Sequence, residues 1–156
     1  MKLKGLGHVL FRVADLERSK KFYTEILGLL IIEEDPKVRA CFLGLHEVTN
    51  NVIDLAQSDD PSLGGIHSDV NSRTGLGFHH AGFAVESHEA LKDNYKELKQ
   101  RGVPIVAMVD HGSTESVYFQ DPDGNVLEIY WNRPNMVAMR HAGEIEDHDE
   151  PLVLDT

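Results

Sequence analysis

Residues 116–131, SVYFQDPDGNVLEIYW, place two short runs of β-branched and aromatic residues around an Asp-Pro-Asp-Gly-Asn cluster. That is the composition of a tight hairpin turn between paired strands. Along the second run the side chains alternate, with Val126, Glu128 and Tyr130 on one face and Leu127, Ile129 and Trp131 on the other. Glu128 is the anomaly. A carboxylate between apolar neighbours on a half-buried strand must reach water or find a cation or a donor, because an unpaired buried charge is costly. An edge strand with Glu128 in solvent and an inner strand that aims Glu128 at a partner both fit this stretch taken alone.

From near its start through this hairpin the chain repeats itself. GHVLFRVADLERSKKFY from Gly7 aligns with HHAGFAVESHEALKDNY from His79, so that His8 falls on His80 and Val9, Phe11 and Val13 fall on Ala81, Phe83 and Val85. NVIDL from Asn51 aligns with NVLEI from Asn125, which puts Asp54 on Glu128. Each copy carries a charged amphipathic helix after its first strand, so each reads as a strand, a helix and three strands. The chain is thus α+β, two tandem copies of one βαβββ module. The boundaries are 1–57 for the first module, 58–75 for a linker or lid loop, 76–134 for the second module and 135–156 for an acidic C-terminal tail.

Along the first module, a strand is expected from Leu6 to Val13, with His8, Leu10 and Arg12 on one face. Asp15 caps a helix whose apolar residues Leu16, Phe22, Tyr23, Ile26 and Leu27 recur at helical spacing, and Gly28 stands where a helix end favours positive φ. Strands follow at Leu29–Glu33, Val38–Leu45 and Asn51–Ala56. The stretch 57–75, rich in Ser, Asp and Gly, has no periodicity, and its His67 is expected to be solvated. The second module repeats the order: a strand at Phe78–Glu86, a helix from Ser87 to Arg101 with a Leu91, Tyr95, Leu98 stripe, a strand at Val103–Val109, then the hairpin. The tail from Met136, with His141 and His148 among acidic residues, reads as irregular.

Composition narrows the partners. With 156 residues and 41% apolar content the chain can bury a sizeable core, and 15 basic against 26 acidic residues give a net charge of −11. That balance argues against nucleic acid and anionic membranes and leaves a small-molecule substrate as the expected partner. Cys41 is the only cysteine, so no internal disulfide forms and a buried thiol in a reducing compartment is expected. The opening MKLKGLGH leads into polar residues rather than a long apolar run, which points to a cytoplasmic protein. Open modules of this kind leave edge strands uncovered, so a homodimer is expected.

The chemistry comes from parity within the repeat. His8 lies on the first strand of module one, and His80 and Glu128 lie on the first and last strands of module two. Were those faces to meet, two imidazoles and one carboxylate would converge with other positions open, the facial set of non-haem Fe(II) sites that can also hold Zn or Mn. Each of the three, taken singly, would serve equally well as a satisfied core group.

These stretches resemble the vicinal oxygen chelate superfamily, which includes glyoxalase I, methylmalonyl-CoA epimerase, fosfomycin resistance enzymes and extradiol dioxygenases. GHVLFRVADLERSKKFYTEILGL, HHAGFAV and YFQDPDGNVLEIYW carry the resemblance, over about Leu6 to Pro134. It implies two tandem βαβββ modules whose strands form an open barrel-like sheet around a cavity, and one divalent metal held there by His8, His80 and Glu128, with Fe(II) the leading ion and Mn, Zn, Ni or Co as alternatives. The runs at Asp110–Phe119 and Glu128–Pro134 are most similar to small catechol-type extradiol dioxygenases, which implies that His111 and Tyr118 border the substrate as catalytic groups. One departure stands out. Asn50 and Asn51 occupy the place where those enzymes carry a further acid–base histidine, and an amide cannot shuttle a proton. Asp54 falls where glyoxalase I and its isomerase relatives put a fourth ligand, unless the register slips by two and brings Ala56 there. Three readings therefore stand: a dioxygenase-like oxidoreductase, a glyoxalase I-type lyase or isomerase that uses its metal as a Lewis acid, and a non-catalytic binding protein.

Overall fold

The computed structural model describes residues 2, 5–45, 51–63, 77–144 and 148–154. His67 and Asn50 lie outside the described residues. The chain divides into two compact units, residues 1–65 and 66–156. Each is a βαβββ unit with a mixed, unclosed sheet, so the fold is α+β.

The first unit comprises β1 (Val9–Val13), α1 (Leu16–Glu25), β2 (Leu30–Asp35), β3 (Ala40–Gly44) and β4 (Ile53–Gln57). Its sheet runs β1-β4-β3-β2, with β1 and β4 parallel and the other pairs antiparallel. Asp15 starts α1 by accepting the Arg18 amide at 3.0 Å, and Gly28 lets the chain leave the helix with φ +68°. The odd positions of β1, Phe11 and Val13, are buried with Tyr23 of α1, Leu43 and Leu55, whereas Leu10 and Arg12 are exposed. Each such large apolar side chain contributes roughly 1.5–3 kcal/mol on burial. Burial also pushes the Cys41 thiol up to about 11, which keeps it protonated.

The second unit repeats this with β5 (Ala81–Val85), α2 (His88–Gln100), β6 (Ile105–Asp110), β7 (Thr114–Gln120) and β8 (Val126–Asn132), then adds α3 (Met136–His141) and β9 (Glu150–Pro151). The sheet order is β5-β8-β7-β6-β9. β8 is therefore flanked on both sides, by parallel β5 and antiparallel β7, which removes the edge-strand account of Glu128. The tail departs from the irregular course expected of it. It forms a short helix and then a strand on the open edge of β6, with the Leu152 amide bonded to the Met108 carbonyl at 3.1 Å and Leu154 buried. The reason is physical: β6 offers unpaired backbone groups, and the Leu152/Leu154 alternation suits one covered face.

The hairpin turn is built on one carboxylate. Asp121 Oδ1 accepts the amides of Asp123 and Asn125 at 2.9 and 2.8 Å, while Oδ2 accepts the Asn125 side-chain amide at 2.8 Å. Gly124 supplies the φ of +82° that the turn requires. Replacing Asp121 by Ala orphans these donors next to a buried site, and we expect a loss of about 1–3 kcal/mol in urea unfolding. A loss under a few tenths of a kcal/mol would show that the flanking ladder alone sets the turn.

Candidate functional site

The register of each unit places its carboxylate. In unit two Glu128 stands opposite Gly82 on β5 and Tyr118 on β7; in unit one Asp54 stands opposite Leu10 on β1 and Phe42 on β3. Leu10 and Gly82 lie two residues after His8 and His80, so Asp54 and Glu128 are structural counterparts. The two-residue slip toward Ala56 does not occur. Ala56 pairs instead with Arg12.

Both carboxylates meet the histidine of their own unit. His80 Nε2 lies 3.1 Å from Glu128 Oε2, and His8 Nε2 lies 3.4 Å from Asp54 Oδ2. Asp54 also accepts a hydrogen bond from the side-chain amide of Asn51. Glu128 is 8% exposed and Asp54 3% exposed. Burial opposes ionisation of Glu128, but the hydrogen bond from His80 outweighs it and holds the carboxyl below its usual range. Burial and the neighbouring Glu128 charge push the Tyr118 phenol upward, so it remains a proton donor at neutral pH.

Gly82 makes room for this arrangement. A Cβ there would stand 2.6 Å from Glu128 Oε2 and 3.3 Å from the Tyr130 ring, so the carboxylate lies across β5 only because that residue has no side chain. In unit one the shorter Asp54 coexists with Leu10 at the matching position.

Beyond Glu128 the hydrogen bonds continue within unit two. Tyr118 Oη is 3.0 Å from His111 Nε2, and His111 Nδ1 is 2.6 Å from Asp149 Oδ1. On the other side His80 Nδ1 meets His79 Nδ1 at 2.6 Å. The turn that carries His111 is braced by Arg133, whose guanidinium takes Asp110 with both nitrogens at 2.9 and 2.7 Å and Glu115 at 2.8 Å. That fork holds Asp110 below the usual carboxylate range.

The four expected residues of unit two lie together, with His80 against Glu128 at 3.1 Å, its ring 5.2 Å from that of Tyr118, and Tyr118 bonded to His111, and within unit one His8 and Asp54 form a pair. Among the described residues no three His, Cys, Asp or Glu side chains gather into a metal cluster. The unit-two pair nevertheless suits a metal. Two ligands at right angles and about 2.1 Å from an ion are about 3.0 Å apart, close to the His80–Glu128 separation, and an ionised carboxylate is the form that ligates. Reading the sequence missed Arg133, His79 and Asp149. Arg133 sits inside a quoted motif but has no spacing rule, and Asp149 meets His111 only through strand pairing.

The sequence pattern of the Glyoxalase/Bleomycin resistance protein/Dioxygenase superfamily matches residues 5–129. This chain belongs to that superfamily. Among its relatives, biphenyl-2,3-diol 1,2-dioxygenase 3 of Rhodococcus globerulus is 30% identical over 80% of this chain and 61% of its own length. The Arabidopsis thaliana lactoylglutathione lyase GLX1 is 27% identical over 81% of this chain and 44% of its own. The chain therefore spans about half to three-fifths of the length of these two relatives. A fosfomycin resistance protein, FosX of Listeria monocytogenes, solved with Mn(II) and a dihydroxypropylphosphonic acid, shares the fold with a TM-score of 0.65 at 20% identity, over 90% of this chain and 99% of that one. Among the described residues no helix is long and apolar enough to cross a membrane.

Gly82→Ala tests the packing around Glu128. The added methyl displaces the carboxylate from His80, so we expect the Glu128 carboxyl, followed by carbon NMR, to titrate at higher pH than in the wild type. An unchanged titration would mean that the carboxylate does not depend on the gap at Gly82.

Proposed function

We propose that this chain is a metal-dependent vicinal oxygen chelate enzyme of the extradiol dioxygenase kind, acting on a catechol or similar vicinal-oxygen substrate. In this reading His8, His80 and Glu128 hold Fe(II), and His111 and Tyr118 are the catalytic residues. The observation that carries it is the protonated Tyr118 phenol, hydrogen-bonded to His111 Nε2 at 3.0 Å and directly across the strand pair from the Glu128 carboxylate. Fe(II) held by these residues would supply redox-active Lewis-acid chemistry. Tyr118 donates to a substrate oxygen as it gains negative charge, and His111 gives or takes the accompanying proton. Asn51 cannot play that part, and its amide is engaged with Asp54.

A glyoxalase-type lyase or isomerase is the second reading, and one observation favours it: Asp54 occupies the register of Glu128 and already meets His8. In that case Asp54 is a fourth ligand and the metal is a Lewis acid only. A binding protein without turnover is the third reading.

Anaerobic iron reconstitution followed by oxygen uptake with a panel of catechols separates these readings. We expect uptake, lowered about 100-fold or more by Tyr118→Phe, and metal loss by elemental analysis in Glu128→Ala. Metal-dependent turnover of a hemithioacetal with no oxygen uptake would establish the second reading, and no turnover of either kind the third.

We further propose a homodimer. β2 is an outer strand of its sheet, and Leu30, Ile31 and Ile32 on it are 41%, 47% and 39% exposed. Sedimentation at micromolar concentration is expected to give twice the chain mass, and a monomer would overturn this.

A further inference from the structure

Among the described residues the C-terminal strand has no counterpart in the first unit, whose sheet ends at β2, and it lies beyond residues 5–129 that match the superfamily. What it brings to the second unit is fixed by its register. β9 pairs antiparallel with β6, Val109 opposite Pro151 and Asp110 opposite Glu150. One step forward on β6 is one step back on the tail, so His111 falls opposite Asp149, and the two side chains meet at 2.6 Å. The pairing is anchored on both sides of that contact. Leu152 bonds to Met108 and Leu154 is buried, while His148 Nε2 stands 3.9 Å from Asp110 Oδ1. Pro151 lacks an amide hydrogen, which suits an outermost strand that should recruit no further neighbour.

We propose that Asp149 is a positioning residue: delivered by the C-terminal strand, it selects the ring tautomer of His111 and so commits Nε2 to Tyr118. An ionised carboxylate can only accept, so the hydrogen of the neutral ring must sit on Nδ1. Nε2 then carries the lone pair, and it is Nε2 that lies 3.0 Å from the Tyr118 hydroxyl. Without Asp149 the ring is free to place its hydrogen on Nε2, where it faces the hydroxyl as a donor rather than an acceptor. Asp149 acts on Tyr118 through His111. The inference rests on the proposed function only for the importance of His111, because the tautomer itself is a property of the chain without metal or substrate.

The test therefore uses the full-length, metal-free protein. Long-range proton–nitrogen NMR of nitrogen-15-labelled histidine, with His111→Ala assigning the signals, reads the tautomer at mildly alkaline pH, and amide exchange at Leu152 reports whether the tail stays docked. We expect the wild-type ring to carry its hydrogen on Nδ1, Asp149→Ala to move the population toward the Nε2 form with the Leu152 amide still protected, and Asp149→Glu to restore the Nδ1 form. A wild-type ring already in the Nε2 form, or an unchanged tautomer in Asp149→Ala, would overturn the proposal. A tautomer change accompanied by loss of Leu152 protection in Asp149→Ala would assign the effect to strand docking and overturn the role of the carboxylate. Failure of the oxygen-uptake assay leaves all these outcomes intact, so the two proposals fail independently.

Discussion

A carboxylate inside a sheet is the constraint on which the second unit depends. Glu128 lies on a strand flanked on both sides and is nearly inaccessible, so its charge must be met by protein groups. The groups around it come from the two chain segments that flank its strand. His80 precedes β5, Tyr118 comes from β7, and the space for the carboxylate comes from Gly82 on β5. Parallel pairing of β5 with β8 and antiparallel pairing of β7 with β8 put these residues level with one another. A change of register by one residue would turn Glu128 to the opposite face and leave its charge unmatched.

The first unit solves the same problem with a shorter acid. Asp54 is buried at the equivalent position, meets His8 and accepts from Asn51, yet faces Leu10 and Phe42 where Glu128 faces Gly82 and Tyr118. The duplicated scaffold is thus preserved while its chemistry has diverged. A phenol and, bonded to it, an imidazole stand beside the carboxylate in unit two, and the matching position across from Asp54 is a phenylalanine.

Much of the scaffold is legible in the order of residues alone. The helix caps Asp15 and Ser87, the positive-φ glycines at 28 and 102, and the Asp121 turn are local devices whose effect lies within a few residues of their cause. The carboxylate–histidine pairs are legible for a different reason: the repeat aligns them, and alternation along a strand assigns their faces. The tail escapes such a reading because its apolar residues are too few for a periodic signal, and a strand of this length is stable only against an edge already in place.

Linear order was thus enough for the two-module architecture and the turn between β7 and β8, because strand alternation, capping and repetition are properties of neighbouring residues. It took the folded chain to establish that Asp54 aligns with Glu128 without a slip, that Arg133 braces the turn carrying His111, and that Asp149 stands against His111. Each of those depends on the register between strands distant along the chain. Register is set by the summed fit of a whole ladder and its buried face, and a linear reading of the residues contains no local mark of it.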